Sequence, residues 1–250
     1  MITIKTDDQI EKMRVSGRLT GEVLNLIGKE IREGMTTLDI DRIAYEYIKS
    51  CGGEPSFLGY GGYPASICAS IDDMVVHGIP SDKTIIKSGQ IVSIDVGVIF
   101  DGWQGDAART FMIGDVDEEK KKLVKVTEEC FFNAVKNLKD GTPLGDIGYY
   151  VQSHAESNGF SVVRQYTGHG VGRDMHEDPE VRNFGVAGHG LRLLTGMTIA
   201  IEPMINAGGH EVKVLKDGWT VVTADRSLSA HYEHTVAVTD GEPVLLTYAE

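Results

Sequence analysis

The feature of this sequence that most constrains its fold is an internal similarity at one constant offset. Residues 33–40 align with residues 140–147, and residues 88–95 align with residues 195–202, with a separation of 107 positions in both cases. Two short helix-turn-helix segments can resemble each other by coincidence. A shared offset in two independent matches instead favours a duplicated structural unit.

Each copy of the repeat predicts two helices followed by strands. Apolar residues recur at helical spacing in both copies, and Gly52 and Gly159 stand where glycine ends a helix. The predicted helices are residues 7–32, 37–51, 117–139 and 144–158. The sequence therefore predicts an α+β fold with one domain over residues 1–250, built from halves at about 1–115 and 116–250. The simplest packing joins the sheets of the two halves around a pseudo-two-fold axis, with helices on one face.

Charge and composition exclude several classes of protein. The chain has 24 basic and 37 acidic residues and a net charge of −13, which disfavours binding to nucleic acids or anionic membranes. No uncharged apolar run reaches the length of a membrane span, and the first residues do not resemble a secretory signal. The cysteines Cys51, Cys68 and Cys130 form no CxxC motif. We therefore expect a cytoplasmic protein, and no sequence feature requires more than a monomer.

A predicted hairpin brings two carboxylates together. Residues 91–100 alternate between apolar and small or acidic side chains, and Asp101-Gly102 is a strong signal for a two-residue turn. With this turn, Asp95 lies opposite Ala108 and diagonal to Asp106 on the same face. A longer loop would shift the register and separate the carboxylates.

The two carboxylates repel each other unless a positive charge lies between them. No lysine or arginine lies on this predicted face, so the pair indicates either a metal ion or two solvated aspartates, with equal weight. The repeat places Glu202 at the position of Asp95, and Glu233 on a further alternating strand is predicted to be its partner, as Asp106 is for Asp95. Four carboxylates match the charge of two divalent cations, which could hold a bridging hydroxide.

Histidines near glycines complete the candidate site. His169 and His176 lie in a glycine-rich stretch, and His77 precedes Gly78. A neutral imidazole is a good metal ligand, although a single histidine is more often structural. The zincin, dinucleotide-binding, P-loop and nucleophile-elbow motifs are all absent.

Taken together, these segments resemble the type I methionine aminopeptidases of the pita-bread metallopeptidase superfamily, over nearly the whole chain. The segments that carry the resemblance are residues 59–64, 77–80, 94–96, 105–106, 168–172, 201–203 and 233–235. The resemblance implies the pita-bread fold, an internally duplicated antiparallel sheet with helices on its outer face. It also implies a metal-dependent enzyme that removes N-terminal methionine from peptides and nascent chains, preferring a small second residue.

The resemblance assigns a role to each candidate residue. Asp106 and Glu233 would bridge two divalent ions, and the other ligands would be Asp95, His169 and Glu202. His77 and His176 would bind the substrate and stabilise charge on its carbonyl oxygen, and Glu202 would also transfer a proton. The ligand set suits cobalt, manganese, iron or zinc and does not distinguish among them.

The resemblance also places the wall of a methionine pocket. Its residues would be Phe57, Tyr60, Tyr63, Cys68, Met175 and Trp219. For Phe57 and Cys68, ordinary core packing is an equally simple interpretation. Met175, Phe57 and Gly61 depart from residues that are common in the family, which affects details of the pocket rather than the reaction.

The sequence disfavours two alternative functions, a proline-directed peptidase and a non-catalytic binding module. A proline-directed relative such as prolidase usually carries a separate N-terminal domain, which 250 residues do not accommodate. A non-catalytic binding module would have lost ligands, whereas all five positions are filled here.

Overall fold

The computed structural model describes residues 2–249 and contains four α-helices in that range, close to those predicted. They are α1 (Asp7–Glu30), α2 (Thr37–Ser50), α3 (Glu118–Val135) and α4 (Leu144–Ser157), with a short 3₁₀ helix at Tyr60–Gly62. Helix α3 ends at Val135, short of residue 139, and beyond it the Leu138 amide donates to the Val135 carbonyl (2.9 Å) in a 3₁₀-type bond. Among residues 2–249, none of the helices has both the length and the apolar character needed to cross a lipid bilayer.

The helix ends follow local chemistry. Thr6 and Thr36 each cap a helix through a capping box, in which the side chains of the first and fourth residues bind each other's backbone amides. Gly52 and Gly159 follow α2 and α4 with φ of 77° and 85°, a conformation that favours glycine. The predicted helix terminators are therefore confirmed.

The strands are antiparallel wherever they pair. They are β1 (Glu54–Pro55), β2 (Ile67–Ile71), β3 (Met74–Val76), β4 (Ile91–Phe100), β5 (Trp103–Met112), β6 (Ser161–Val162), β7 (Gly168–Gly170), β8 (Glu177–Val181), β9 (Thr198–Ile201), β10 (Met204–Asn206), β11 (Val212–Val214), β12 (Val221–Thr223), β13 (Ser229–His231), β14 (Glu233–Ala237) and β15 (Val244–Leu245). The main sheet has the order β1-β4-β5-β14-β9-β7-β8, with β2 beside β4 and β15 beside β14. Two smaller sheets have the orders β13-β10-β6 and β11-β12-β3.

The two halves meet in the main sheet, where β5 pairs with β14. Each half has its own apolar core on the helical side. Residues Ile94 and Val96 of β4 are fully buried in the cluster formed with α1 and α2, and Ile199 and Val236 are fully buried in the cluster formed with α3 and α4. The alternation of side chains along each strand therefore leaves the opposite face for Asp95 and Glu233.

Two isolated β-bridges, one in each half, confirm the duplication. Thr36 bridges to Ile85, and Pro143 bridges to Arg192, so both partners are displaced by the offset of 107 seen in the sequence. The halves differ in one connection. Strands β4 and β5 are joined by Asp101-Gly102, whereas their counterparts in the second half are joined by residues 207–228, which contain β11 and β12.

Candidate metal centre

The β4–β5 hairpin has the predicted register. Phe100 pairs with Trp103 and Asp95 pairs with Ala108, while Asp106 pairs with Gly97 and is therefore diagonal to Asp95. Asp101 and Gly102 both have positive φ (50° and 71°), as the tight turn of such a hairpin requires. The first two carboxylates therefore share one face of the sheet.

In the second half, the two acidic residues lie directly opposite each other rather than on a diagonal. Ile201 pairs with His234, which puts Glu202 level with Glu233, and Met204 pairs with His231. Since Glu202 corresponds to Asp95, Glu233 corresponds to Ala108 and not to Asp106. Glu233 is therefore the cross-strand partner of Glu202, as predicted, but it lies directly opposite, whereas Asp106 lies diagonal to Asp95. The long connection at residues 207–228 shifts the numbering, and a count along the sequence does not reveal this shift.

The counterpart of Asp106 is His231, which is not among the candidate residues predicted from the sequence. Met204 lies 107 positions after Gly97, and it pairs with His231 as Gly97 pairs with Asp106. The signal was present in the sequence, because His231 lies two positions before Glu233 and strand alternation puts both side chains on one face.

Carboxylates and imidazoles from both halves converge in one cluster. His169 Nε2 lies 3.5 Å from Asp106 Oδ2 and 3.7 Å from Glu202 Oε1. His231 Nε2 lies 3.7 Å from Glu233 Oε2 and 3.9 Å from Glu202 Oε2. Two groups have the donor spacing that a metal ion requires, Asp106 with His169 and Glu233, and Asp95 with His231 and Glu233.

The buried polar atoms of this cluster fit a divalent cation. Within the described chain, Asp95 Oδ1, Asp106 Oδ1, Glu233 Oε1 and His231 Nε2 are buried and have no hydrogen-bond partner. Buried polar atoms are rarely left unpaired in native proteins. No lysine or arginine of residues 2–249 lines the surrounding cavity. A divalent cation would satisfy the unpaired oxygens and neutralise the acidic charge.

The pKa shifts of the acidic residues also indicate a cation site. Burial, followed by the charge of Asp106, raises the pKa of Asp95, Glu202 and Glu233 well above the usual range. Without a cation the site therefore favours protonated carboxyls, and metal binding would displace those protons.

The three histidines predicted from the sequence have different surroundings. His169 Nδ1 lies 2.9 Å from the carbonyl oxygen of Gly170, a contact that directs Nε2 to the carboxylates. His176 Nδ1 lies 2.7 Å from the Tyr60 hydroxyl, and burial with the adjacent His169 lowers the pKa of His176 to about 4. Burial also lowers the pKa of His77, whose backbone has a φ of 58°.

A cavity opens above the carboxylates. The residues that line it include most of those predicted for substrate, namely Phe57, Tyr60, Tyr63, Cys68, His77, His176 and Trp219. Val76, Tyr166 and Thr167 also line it and were not predicted. They carry no motif, and only the folding of β3 and the segment before β7 brings them to the cavity.

Met175 is buried next to the cavity wall. It is 2 % exposed and is not among the residues that line the cavity. A Cβ added to Gly97 would lie 2.7 Å from Met175 Cε and 3.0 Å from the ring of Phe57, so the end of the Met175 side chain lies near Phe57. Gly61, another of the three departures, does approach the cavity, since a Cβ there would lie 3.3 Å from the Trp219 ring.

Comparison with known proteins agrees with the geometry. The sequence model of Metallopeptidase family M24 matches residues 11–240. The chain is 52% identical to a methionine aminopeptidase of Clostridium acetobutylicum over 100% of both chains, and 47% identical to one of Escherichia coli over 98% of this chain and 94% of that one. The crystal structure of methionine aminopeptidase from Thermotoga maritima superposes with a TM-score of 0.98, at 45% identity and 100% coverage of both chains. The architecture is the pita-bread fold, and the chain belongs to metallopeptidase family M24.

Proposed function

We propose that this metallopeptidase removes the N-terminal methionine from peptides and nascent chains, with a preference for a small second residue. The observation that carries the proposal is the position of the carboxylate and imidazole cluster at the floor of a cavity with an aromatic and apolar wall. The full-length similarity to methionine aminopeptidases supports the same substrate.

The metal centre would hold two divalent ions, manganese, iron, cobalt or zinc. Asp106 and Glu233 would be shared between the ions, His169 and Glu202 would complete one ion, and Asp95 would bind the other. Glu233 occurs in both groups of suitably spaced donors, which supports its shared role. Divalent ions lower the pKa of bound water and polarise a carbonyl group.

Protein side chains would orient the substrate and move protons. Glu202 is buried beside His169 and would carry a proton from the attacking water to the leaving amine. The Tyr60 hydroxyl holds His176 Nδ1, which leaves Nε2 for the substrate carbonyl. His77 would donate to the peptide from the opposite wall, where its ring packs against Tyr166 and Trp219. These donors would stabilise the charge that develops on the carbonyl oxygen.

The methionine side chain would occupy the apolar part of the cavity. Tyr63 and Cys68 form a buried cluster with the partly exposed Phe57 and Trp219. The Tyr63 and Trp219 rings meet edge to face at 5.1 Å, and the Tyr63 hydroxyl donates to backbone oxygens. A thioether makes favourable contacts with such rings. Met175 would complete this wall beside Phe57, and steric exclusion would limit the second residue.

Residues 1–250 would form one catalytic domain, since neither half, about 1–115 or 116–250, contains a complete site. The chain would act as a monomer on chains emerging in the cytoplasm, without binding nucleic acid. The net charge of −13 supports the absence of nucleic-acid binding.

Peptide turnover with defined metal content tests the proposal. The metal-loaded protein is expected to cleave Met-Ala-Ser faster than Met-Leu-Ser, and to leave Ala-Pro-Ser intact. Asp106→Asn serves as the inactive control. Preferential cleavage of Ala-Pro-Ser would identify a proline-directed enzyme instead, and stoichiometric metal binding without any cleavage would identify a binding module.

A further inference from the structure

His231 and Asp106 occupy equivalent places about the pseudo-two-fold axis. Thr235 Oγ1 donates to the Asp106 carbonyl (2.9 Å) and accepts from the Asp106 amide (3.0 Å). Thr110 Oγ1 donates to the His231 carbonyl (2.8 Å) and accepts from the His231 amide (3.0 Å). Each half therefore fixes the backbone of the other half's residue with one threonine. The backbone frame that presents Asp106 to the cluster also presents His231.

The distance between His231 Nε2 and Glu233 fits two ligands of one ion. Hydrogen bonds from nitrogen to oxygen usually span about 2.7–3.2 Å. The separations of 3.7 Å and 3.9 Å from Glu233 and Glu202 are longer than that. Metal–donor bonds of about 2.0–2.2 Å allow two donors of one ion to lie up to about 4.3 Å apart. His169, an expected ligand, lies at similar distances from its carboxylates, 3.5 Å and 3.7 Å.

The unpaired Nε2 of His231 is significant because the side chain is buried. His231 is 2 % exposed, and its Nε2 has no partner within the described residues. The neighbouring His234 is also buried, but its Nδ1 lies 2.8 Å from Thr247 Oγ1 and its Nε2 lies 3.2 Å from the Tyr232 hydroxyl. His234 is therefore satisfied on the helical side of the sheet, whereas His231 faces the carboxylates with an unused nitrogen.

We propose that His231 is an additional metal ligand, which binds the second divalent ion together with Asp95 and Glu233. The inference rests on the proposed function, because it assumes the two-ion centre. Each ion would then have one imidazole ligand, His169 for the first and His231 for the second. A nitrogen ligand on the second ion favours cobalt and zinc over manganese more strongly than carboxylates alone.

Metal titration of the full-length, metal-free protein tests this role without reference to activity. The wild type is expected to bind two equivalents of Co²⁺ in calorimetry. His231→Gln is expected to bind one equivalent normally and the other at least about tenfold more weakly. His234→Gln is the matched control, because His234 is buried on the opposite face of the sheet from the cluster, and it is expected to retain both affinities.

A count of imidazole ligands separates a ligand from a hydrogen-bonding residue. X-ray absorption of the Zn²⁺-loaded wild type is expected to show two imidazoles per two ions, and His231→Gln one. One imidazole in the wild type would overturn the proposal even if the variant failed to fold. Unchanged Co²⁺ affinities in His231→Gln would also overturn it while leaving the proposed function intact. A wild type that bound fewer than two ions would overturn both.

Discussion

The two halves of this molecule share a backbone frame but present different chemistry on it. In the first half, β4 and β5 are joined by a two-residue turn and carry Asp95 and Asp106. In the second, the equivalent strands are interrupted and separated by residues 207–228, and they carry Glu202, His231 and Glu233. Duplication thus reproduced the positions around the axis, while the identity of each side chain diverged. The centre is complete only when both halves contribute.

The largest expected effect comes from removing either residue predicted to bind both ions. Asp106→Asn in the first half and Glu233→Gln in the second should each lower kcat/KM for Met-Ala-Ser by at least about 1000-fold. The two losses should be similar, although the residues are not symmetry equivalents. Steady-state kinetics with metal analysis measures both, and near-normal turnover in one variant would show that only the other residue bridges.

His77→Ala should have the next largest effect. We expect kcat to fall by about 100-fold with metal content unchanged, because His77 would act on the substrate rather than on the ions. Metal analysis of the purified variant beside its kinetics provides the measurement. A loss of bound metal would instead place His77 among the ligands of the first half.

Gly97→Ala tests the tighter packing of the first half. A Cβ at Gly97 would lie 2.7 Å from both Met175 Cε and Ser56 Cβ, whereas the equivalent position in the second half is the buried Met204. We expect a loss of about 1–3 kcal/mol in the free energy of unfolding. Denaturant titration measures this loss. Gly241→Ala, whose nearest neighbour would be 4.0 Å away, should leave stability unchanged.

The smallest expected effect is a pH dependence of the metal-free protein. Burial raises the folded-state pKa of Glu233, so its protonated carboxyl contributes to the free energy of unfolding at low pH. This contribution is lost as the pH rises above the unfolded-state pKa of about 4.3. Glu233→Gln lacks this loss, so its stability relative to the wild type should increase as the pH rises. Thermal unfolding across pH 4–8 measures the difference.

The comparison with divalent metal provides the control for that experiment. Metal stabilises a protein that binds it in the folded state, and Glu233→Gln should lose part of this stabilisation. The order of stability should therefore reverse, with the wild type more stable once metal is added. If the stability difference between Glu233→Gln and the wild type did not change with pH, burial would not disfavour the ionised form of Glu233 in the metal-free protein.

Much of the fold was predictable because the relevant signals are local. Apolar residues at helical spacing and glycine terminators located α1, α2 and α4 to within two residues. The offset of 107 predicted the duplicated frame, since it survives in the bridges Thr36–Ile85 and Pro143–Arg192. Helix α3 ends four residues before the predicted residue 139, because Leu138 continues the apolar spacing although its amide already makes a 3₁₀-type bond to Val135.

The sequence by itself determined the hairpin that carries Asp95 and Asp106, because a two-residue turn leaves only one register for the strands it joins. The tertiary structure alone decided that Glu202 lies level with Glu233 and that His231 takes the place equivalent to Asp106. It also decided that Met175 is buried near Phe57. The physical reason is that residues 207–228 separate the paired strands, so their register is set by packing between the halves rather than by the turn.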